Sequence, residues 1–293
     1  VPPVLWGLAA LAGVVAALLW APTLALVAVG LQQGALVVVA ALSTLLVGLL
    51  CLQLGLVTAP RPRWLLPAAL AAAGIILLIA VRAASSFGPD NPRPTSLVYA
   101  LDAGTGEARW ASFEASPSAW TLRALPGEPR RESLEPFLGH GRELRVAPAP
   151  VLDLPAPTVT RLGAEAAADG GRRFHLRVVP PPGAHRLRLL LSPAEQLRSA
   201  TVEGRAAILP EGRETASLLF SAPPAEGGDL VLETRGAEPL AMAAVAQWHR
   251  LPAETEGGPG RRGAELMTAG WPSDADTIMV RTELVLDGAG PER

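Results

Sequence analysis

The sequence predicts membrane α-helices, about three of them, followed by an all-β, antiparallel, sandwich-like domain. Two observations carry this. The first 82 residues contain no Asp, Glu, Lys or His and only three Arg, whereas the remaining 211 hold all 27 carboxylates and all four His. An ionised side chain at mid-bilayer costs about 2.5 kcal/mol or more, so a chain divided this way reads as a membrane anchor followed by a water-facing domain. In that second part, short runs with a period of two alternate with Pro and Gly clusters, the pattern of an antiparallel sandwich or barrel. The expected organisation is a transmembrane anchor over 1–83, a linker over 84–94 and an extracytoplasmic sandwich over 95–293.

Apolar sequence runs from Val4 to Val57, interrupted by Gln32, Gln33, Gln53 and a few hydroxyls. This is too long for one crossing of about 20 residues and short for three. Gln32-Gln33-Gly34 is the natural turn, with helices expected over 4–31 and 35–57. Trp20-Ala21-Pro22 is then a kink in a long first helix or an interfacial break. A third helix, from Trp64 to Val81, is bounded by Arg61, Arg63 and Arg82. Pro60-Arg61-Pro62-Arg63 is the most basic short loop, which puts it in the cytoplasm and delivers the large domain to the other side. The three Gln read as interhelical glue rather than as a transport path, because no carboxylate or His accompanies them. The opening at Val1 lacks the basic n-region of a secretory signal, and the chain reads as part of a longer open reading frame.

Ser85 to Pro94, SSFGPDNPRP, has turn formers spaced too closely for a helix. The clearest strands beyond it are Arg173–Val179 and His185–Leu191, joined by Pro180-Pro181-Pro182-Gly183 and expected to form a hairpin. Phe174, Leu176 and Val178 share one face of the first, and Leu187 and Leu189 one face of the second, leaving each strand one buried and one wet side. Further strands are expected at Ser96–Leu101, Glu107–Phe113, Glu143–Ala147, Thr158–Leu162, Thr215–Ser221, Asp229–Thr234 and Thr277–Leu286, and no long amphipathic helix is.

The water-facing part carries 22 Arg against 27 acids, a net charge of −5 that argues against nucleic acid as a partner. Cys51 is the only cysteine, which excludes an intrachain disulfide or a Cys-based zinc site. His140 lies in a Gly-rich loop, His175 and His185 fall on the expected wet face of the hairpin, and His249 follows Trp248; none has metal-ligand spacing. Asp274 and Asp276 resemble paired carboxylates but read as a turn into the last strand, because the remaining oxygen ligands of a calcium loop are missing. Gly104-Thr105-Gly106 reads as a hairpin loop. The Arg face of the hairpin suits either anionic lipid or plain solvation, with solvation preferred in a chain without Lys. Trp110, Trp120, Trp248 and Trp271 read as core, with only Trp120 placed where a loop would expose it. No catalytic, cofactor-binding or metal residue is assigned.

Pro92-Arg93-Pro94-Thr95-Ser96-Leu97-Val98-Tyr99-Ala100-Leu101-Asp102, then Thr105–Phe113 and Ala119-Trp120-Thr121, resemble the region after the last membrane helix in multi-spanning M28-type zinc metallopeptidases, relatives of the endoplasmic-reticulum metallopeptidase and the vacuolar membrane protease. Trp271-Pro272-Ser273-Asp274 and the closing strand are similar to that family's C-terminal end. The resemblance implies a catalytic α/β domain holding two zinc ions, placed before the helices, and this chain departs from it in having no His-x-Asp and no adjacent Glu-Glu pair. It therefore implies a non-catalytic C-terminal module whose partners are the bilayer and a peptidase domain in cis or in trans, with zinc expected only in that domain.

Overall fold

A computed structural model describes residues 92–167, 170–209, 212, 214–253, 257–270 and 274–287, together with 72, 75, 76 and 87–89. The chain divides into two compact units, 1–86 and 87–293. In the first, Ala72, Ile75 and Ile76 are helical. The rest of the expected anchor, with Gln32, Gln33, Cys51, Gln53, Arg61, Arg63 and Arg82, lies outside the described residues, as does Trp271. Among the described residues no helix is long and apolar enough to cross a membrane.

The regular structure described in the second unit is mostly strand. In chain order they are β1 (Arg93–Thr95), β2 (Val98–Asp102), β3 (Glu107–Ser112), β4 (Arg130–Ser133), β5 (Glu143–Pro148), β6 (Thr158–Ala166), β7 (Arg172–Val179), β8 (Arg186–Ser192), β9 (Leu197–Val202), β10 (Arg205–Ala206), β11 (Ala216–Ser221), β12 (Gly228–Thr234), β13 (Leu240–Trp248), β14 (Leu266–Thr268) and β15 (Thr277–Leu286). Among the described residues two short α-helices interrupt them, α1 (Ala119–Ala124) and α2 (Glu135–Leu138), together with a 3-10 turn at Ala194–Gln196. Eight strands form one sheet in the order β11-β8-β13-β15-β2-β3-β5-β4, five form a second in the order β10-β9-β12-β7-β6, and β1 pairs with β14.

The two larger sheets share one core, as a sandwich does. Phe174, Leu176 and Val178 of β7 belong to the same buried cluster as Leu187, Leu189 and Leu191 of β8, Trp110 of β3 and Met242, Ala244 and Trp248 of β13. Trp110 is 2% exposed and meets Tyr99 edge to face at 5.2 Å. A second cluster lies on the other face of the large sheet. There Leu134, Phe137 and Leu138, in and beside α2, cover Val98, Ala111, Leu190, Val245 and Met279. Gly139 ends α2 with φ 71°, and a Cβ there would stand 2.6 Å from Leu190 Cδ2, so glycine is needed both for the turn and for the approach.

Four expectations need correction. β7 and β8 are not a hairpin: β7 pairs with β6 and β12, and β8 with β11 and β13. Three consecutive prolines have no N–H to close a tight turn and favour extended backbone, which suits a crossing between layers about 10 Å apart. Their apolar faces therefore meet across the sandwich instead of lying side by side. Nor does β8 have a wet side along its length, because α2 covers Leu190 and Arg188, the latter 8% exposed. The sheets are not wholly antiparallel, since β15 pairs in parallel with β2, and β1 with β14. Trp120 is 6% exposed rather than presented by a loop: it lies in α1, and its Nε1 donates to the Gly260 carbonyl at 3.1 Å.

Candidate functional site

A buried group of polar side chains lies at one end of the large sheet, on the face away from the interlayer core. β8 supplies Arg188, the adjoining β13 supplies Gln247, and the turn before β15 supplies Asp274. Arg188 donates through Nη1 to the carbonyls of Leu138 at 2.9 Å and Phe137 at 3.3 Å, and through Nη2 to Asp274 Oδ1 at 3.3 Å. Gln247, fully buried, donates to the same Asp274 oxygen at 3.4 Å, while its own Oε1 is buried without a hydrogen-bond partner. Asp274 is fixed from behind, where Thr277 Oγ1 donates to its backbone carbonyl at 2.7 Å.

Next to this group, His185 and His249 stack with ring centroids 3.4 Å apart and planes inclined by 24°. His185 comes just before β8 and His249 just after β13, so the pairing of Arg186 with Gln247 brings them to the same end. The backbone locks them there: His185 N donates to the Gln247 carbonyl at 3.0 Å and Ala222 N donates to the His185 carbonyl at 2.8 Å. Both ring nitrogens of His185 are buried and unpartnered. Burial, then the neighbouring His249 and Arg186, push its pKa down to about 4; burial and Arg186 also lower that of His249. Both rings are therefore neutral at neutral pH.

The other singled-out residues are dispersed. His140 is exposed in its loop, where its Nδ1 accepts from Arg142 N at 3.4 Å. His175 faces outward on the small sheet opposite Val231, so it does not meet His185. Asp274 and Asp276 do occupy a turn, but they serve different neighbours. Asp276 accepts from Arg262 and from Thr268 Oγ1, both at 2.5 Å, and Arg262 in turn lies 4.5 Å over the Trp120 ring. Gly104-Thr105-Gly106 forms the expected β2–β3 hairpin, with Gly104 N and Thr105 N donating to Asp102 Oδ1. On the Arg face of β7, Arg173 pairs with Glu233 and Arg177 with Asp229 across the β12 register. That face is thus charge-balanced, as a solvated surface would be.

Two further arrangements were not visible in the sequence. Glu114 gathers the segment after β3: its Oε1 accepts from Thr121 Oγ1 at 2.6 Å and Ser96 N at 3.1 Å, and its Oε2 from Ser118 N at 3.0 Å. A depression of about 640 Å³ lies beside β3, β4 and β5, floored by Val146 and Pro148 and rimmed by Glu107, Arg109, Glu128, Arg130 and Glu132. Arg109 bridges Glu107 at 3.2 Å and Glu132 at 2.9 Å, so its charge is already met. Among the described residues no three His, Cys, Asp or Glu are grouped to hold a metal ion. Polar groups such as those of Glu114 and Arg188 hold backbone and neighbouring side chains in place.

Comparison with known proteins adds little to this geometry. No protein-family model matches the chain, and no curated protein matches it. Among solved structures, the second type II cohesin module of the adaptor ScaA scaffoldin from Acetivibrio cellulolyticus is similar over 35% of this chain and 74% of that one, at 12% identity and a TM-score of 0.18. The N-terminal domain of PorA is similar over 43% and 80%, at 12% identity and a TM-score of 0.16. Likeness at this level carries no argument about function.

Proposed function

We propose that this chain is the non-catalytic C-terminal module of a membrane-bound, bacterial M28-type zinc metallopeptidase. In this reading, helices within residues 1–83 anchor it in the bilayer, and the sandwich stands on the extracytoplasmic side against a peptidase domain in cis or in trans. The observation that supports it best is the way the sandwich uses its polar groups. Glu114 ties Ser96, Ser118 and Thr121 together within the segment that carries the family resemblance, while Asp274 and Asp276 are committed to Arg188 and Arg262. A unit whose carboxylates are bound internally suits support and packing better than catalysis. Zinc would serve the peptidase domain by activating water there. The described residues do not fit a zinc shell, and no step through the metal is assigned to this chain.

The test is purification from native membranes through a tag after Arg293. Chelator-sensitive aminoacyl hydrolysis that co-elutes with the tagged material, absent from the sandwich alone, is the expected result. Tagged material without such activity, together with a stop codon directly upstream of the codon for Val1, would overturn the reading. A second reading, a stand-alone membrane-anchored binding module, draws on the open depression beside the edge strand β4.

A further inference from the structure

Three prolines carry the chain from the small sheet to the large one, and the first residues to dock on the far side are held by the stacked histidines. The junction consists of few bonds. Trp248 Nε1 donates to the Pro182 carbonyl at 3.1 Å, His185 N to the Gln247 carbonyl at 3.0 Å, and Ala222 N to the His185 carbonyl at 2.8 Å. These bonds join the crossover, β13 and the end of β11, and the imidazole stack lies beside them. We infer that this junction is an acid-released latch, closed while the His185–His249 stack carries at most one proton and opened when both rings are charged.

The geometry decides the sign. Two imidazolium rings with centroids 3.4 Å apart repel strongly, and the buried nitrogens of His185 have only the Gln247 carbonyl as an acceptor to favour a charge, an oxygen that already accepts from His185 N at 3.0 Å. The charged groups facing the stack do not relieve this. Arg186 of β8 adds a third positive charge. Asp274, from the turn before β15, attracts both rings, but Arg188 Nη2 and Gln247 Nε2 already engage its carboxylate at 3.3 and 3.4 Å. Ala222, at the end of β11, brings no charge. The first proton is tolerable on the exposed His249, because an imidazolium can rest on a neutral ring. The second must enter His185.

Linkage then sets the window. The closed latch holds His185 at a pKa of about 4, while an opened imidazole returns towards 6.5, so the open form binds more protons. The stabilisation of the closed form is complete above pH 6.5 and is lost as the pH falls from there towards about 4. The two rings titrate as a pair, in two macroscopic steps.

The latch does not depend on the peptidase reading, and its test uses the full chain in lipid nanodiscs. Hydrogen exchange at the amides of His185 and Ala222, corrected for the intrinsic pH dependence, is followed between pH 6.5 and 4 in the wild type and in His249→Phe, which keeps a stacked ring but removes one charge. The expected result is a wild-type rise on the order of ten-fold or more that is clearly smaller in the variant, where burial and Arg186 still oppose a charge on His185 but the second imidazolium is gone. An equal rise in both proteins would overturn the latch. Should His249→Phe not fold, imidazole carbon–proton NMR of the wild type decides: two well-separated steps with His185 charging last support it, and two independent titrations near 6.5 refute it.

Discussion

Arg188 and Asp274, 86 residues apart, meet at 3.3 Å on the covered face of the large sheet, with side chains only 10% and 9% exposed. The same guanidinium holds two carbonyls of α2, so it joins the cover to the sheet as well as to the last turn. Removing one member of such a pair leaves the other charged and buried. Arg188→Met and Asp274→Asn are each expected to destabilise the domain by about 2 to 4 kcal/mol in urea unfolding. The double variant should lose less than the sum by at least about 1 kcal/mol, because neither charge is then stranded. Strict additivity would mean that the two side chains do not act on each other.

The strands were legible wherever a period of two coincided with one wet face. Glu107–Ser112, Gly228–Thr234 and Thr277–Leu286 lie within a residue of their expected bounds, because apolar and polar positions alternate there or the run is rich in β-branched residues. Leu240–Trp248 gave no such signal, since it is buried on both faces and four of its nine residues are Ala, which suit a crowded sheet centre but carry little strand propensity. The exchange of sheets between Val179 and Arg186 was hidden for another reason, because a four-residue Pro-Gly link looks alike whether the next strand pairs or crosses. The polar cluster shares that obscurity. His185 and His249 are 64 positions apart, and only the pairing of β8 with β13 brings their rings together.

The unit from Phe87 onwards contains both sheets and both buried clusters. Residues 87–293 expressed alone are therefore expected to fold into a soluble domain with a β-dominated circular dichroism spectrum. A helical or disordered spectrum would show that the strands need the preceding 86 residues.

Among the described residues of that domain Trp110 is the largest fully buried side chain, and Tyr99 packs against its ring while donating to the Pro150 carbonyl at 2.8 Å. Trp110→Ala is expected to cost about 3 to 5 kcal/mol, combining lost transfer energy with a cavity the sheets cannot close. Tyr99→Phe should cost about 1 to 2 kcal/mol, since it keeps the ring but removes two hydrogen bonds, the one to the Pro150 carbonyl and the one accepted from Leu152 N at 3.1 Å. Equal losses in the two variants would place the energy in the hydroxyl and not in the aromatic contact.

The proposed orientation rests on the basic stretch expected to form a loop at Arg61 and Arg63. If the positive-inside rule governs it, a reporter fused after Arg293 is active outside the cytoplasm and one inserted within residues 58–63 is active inside. The inverse pattern would put the sandwich in the cytoplasm and remove the extracytoplasmic reading.

A catalytic zinc site needs three protein ligands and an open position for water. The four His here are placed otherwise: His140 is exposed in a loop, His175 lies on the outer face of the small sheet, and His185 and His249 are stacked on each other. The Asp274 carboxylate is bound to Arg188. The purified chain is accordingly expected to retain no stoichiometric zinc after dialysis and to release no aminoacyl fluorophore with or without added metal. One zinc per chain by elemental analysis, lost in His185→Ala or His249→Ala, would show that the stack rearranges into a ligand pair and would overturn the proposed non-catalytic role.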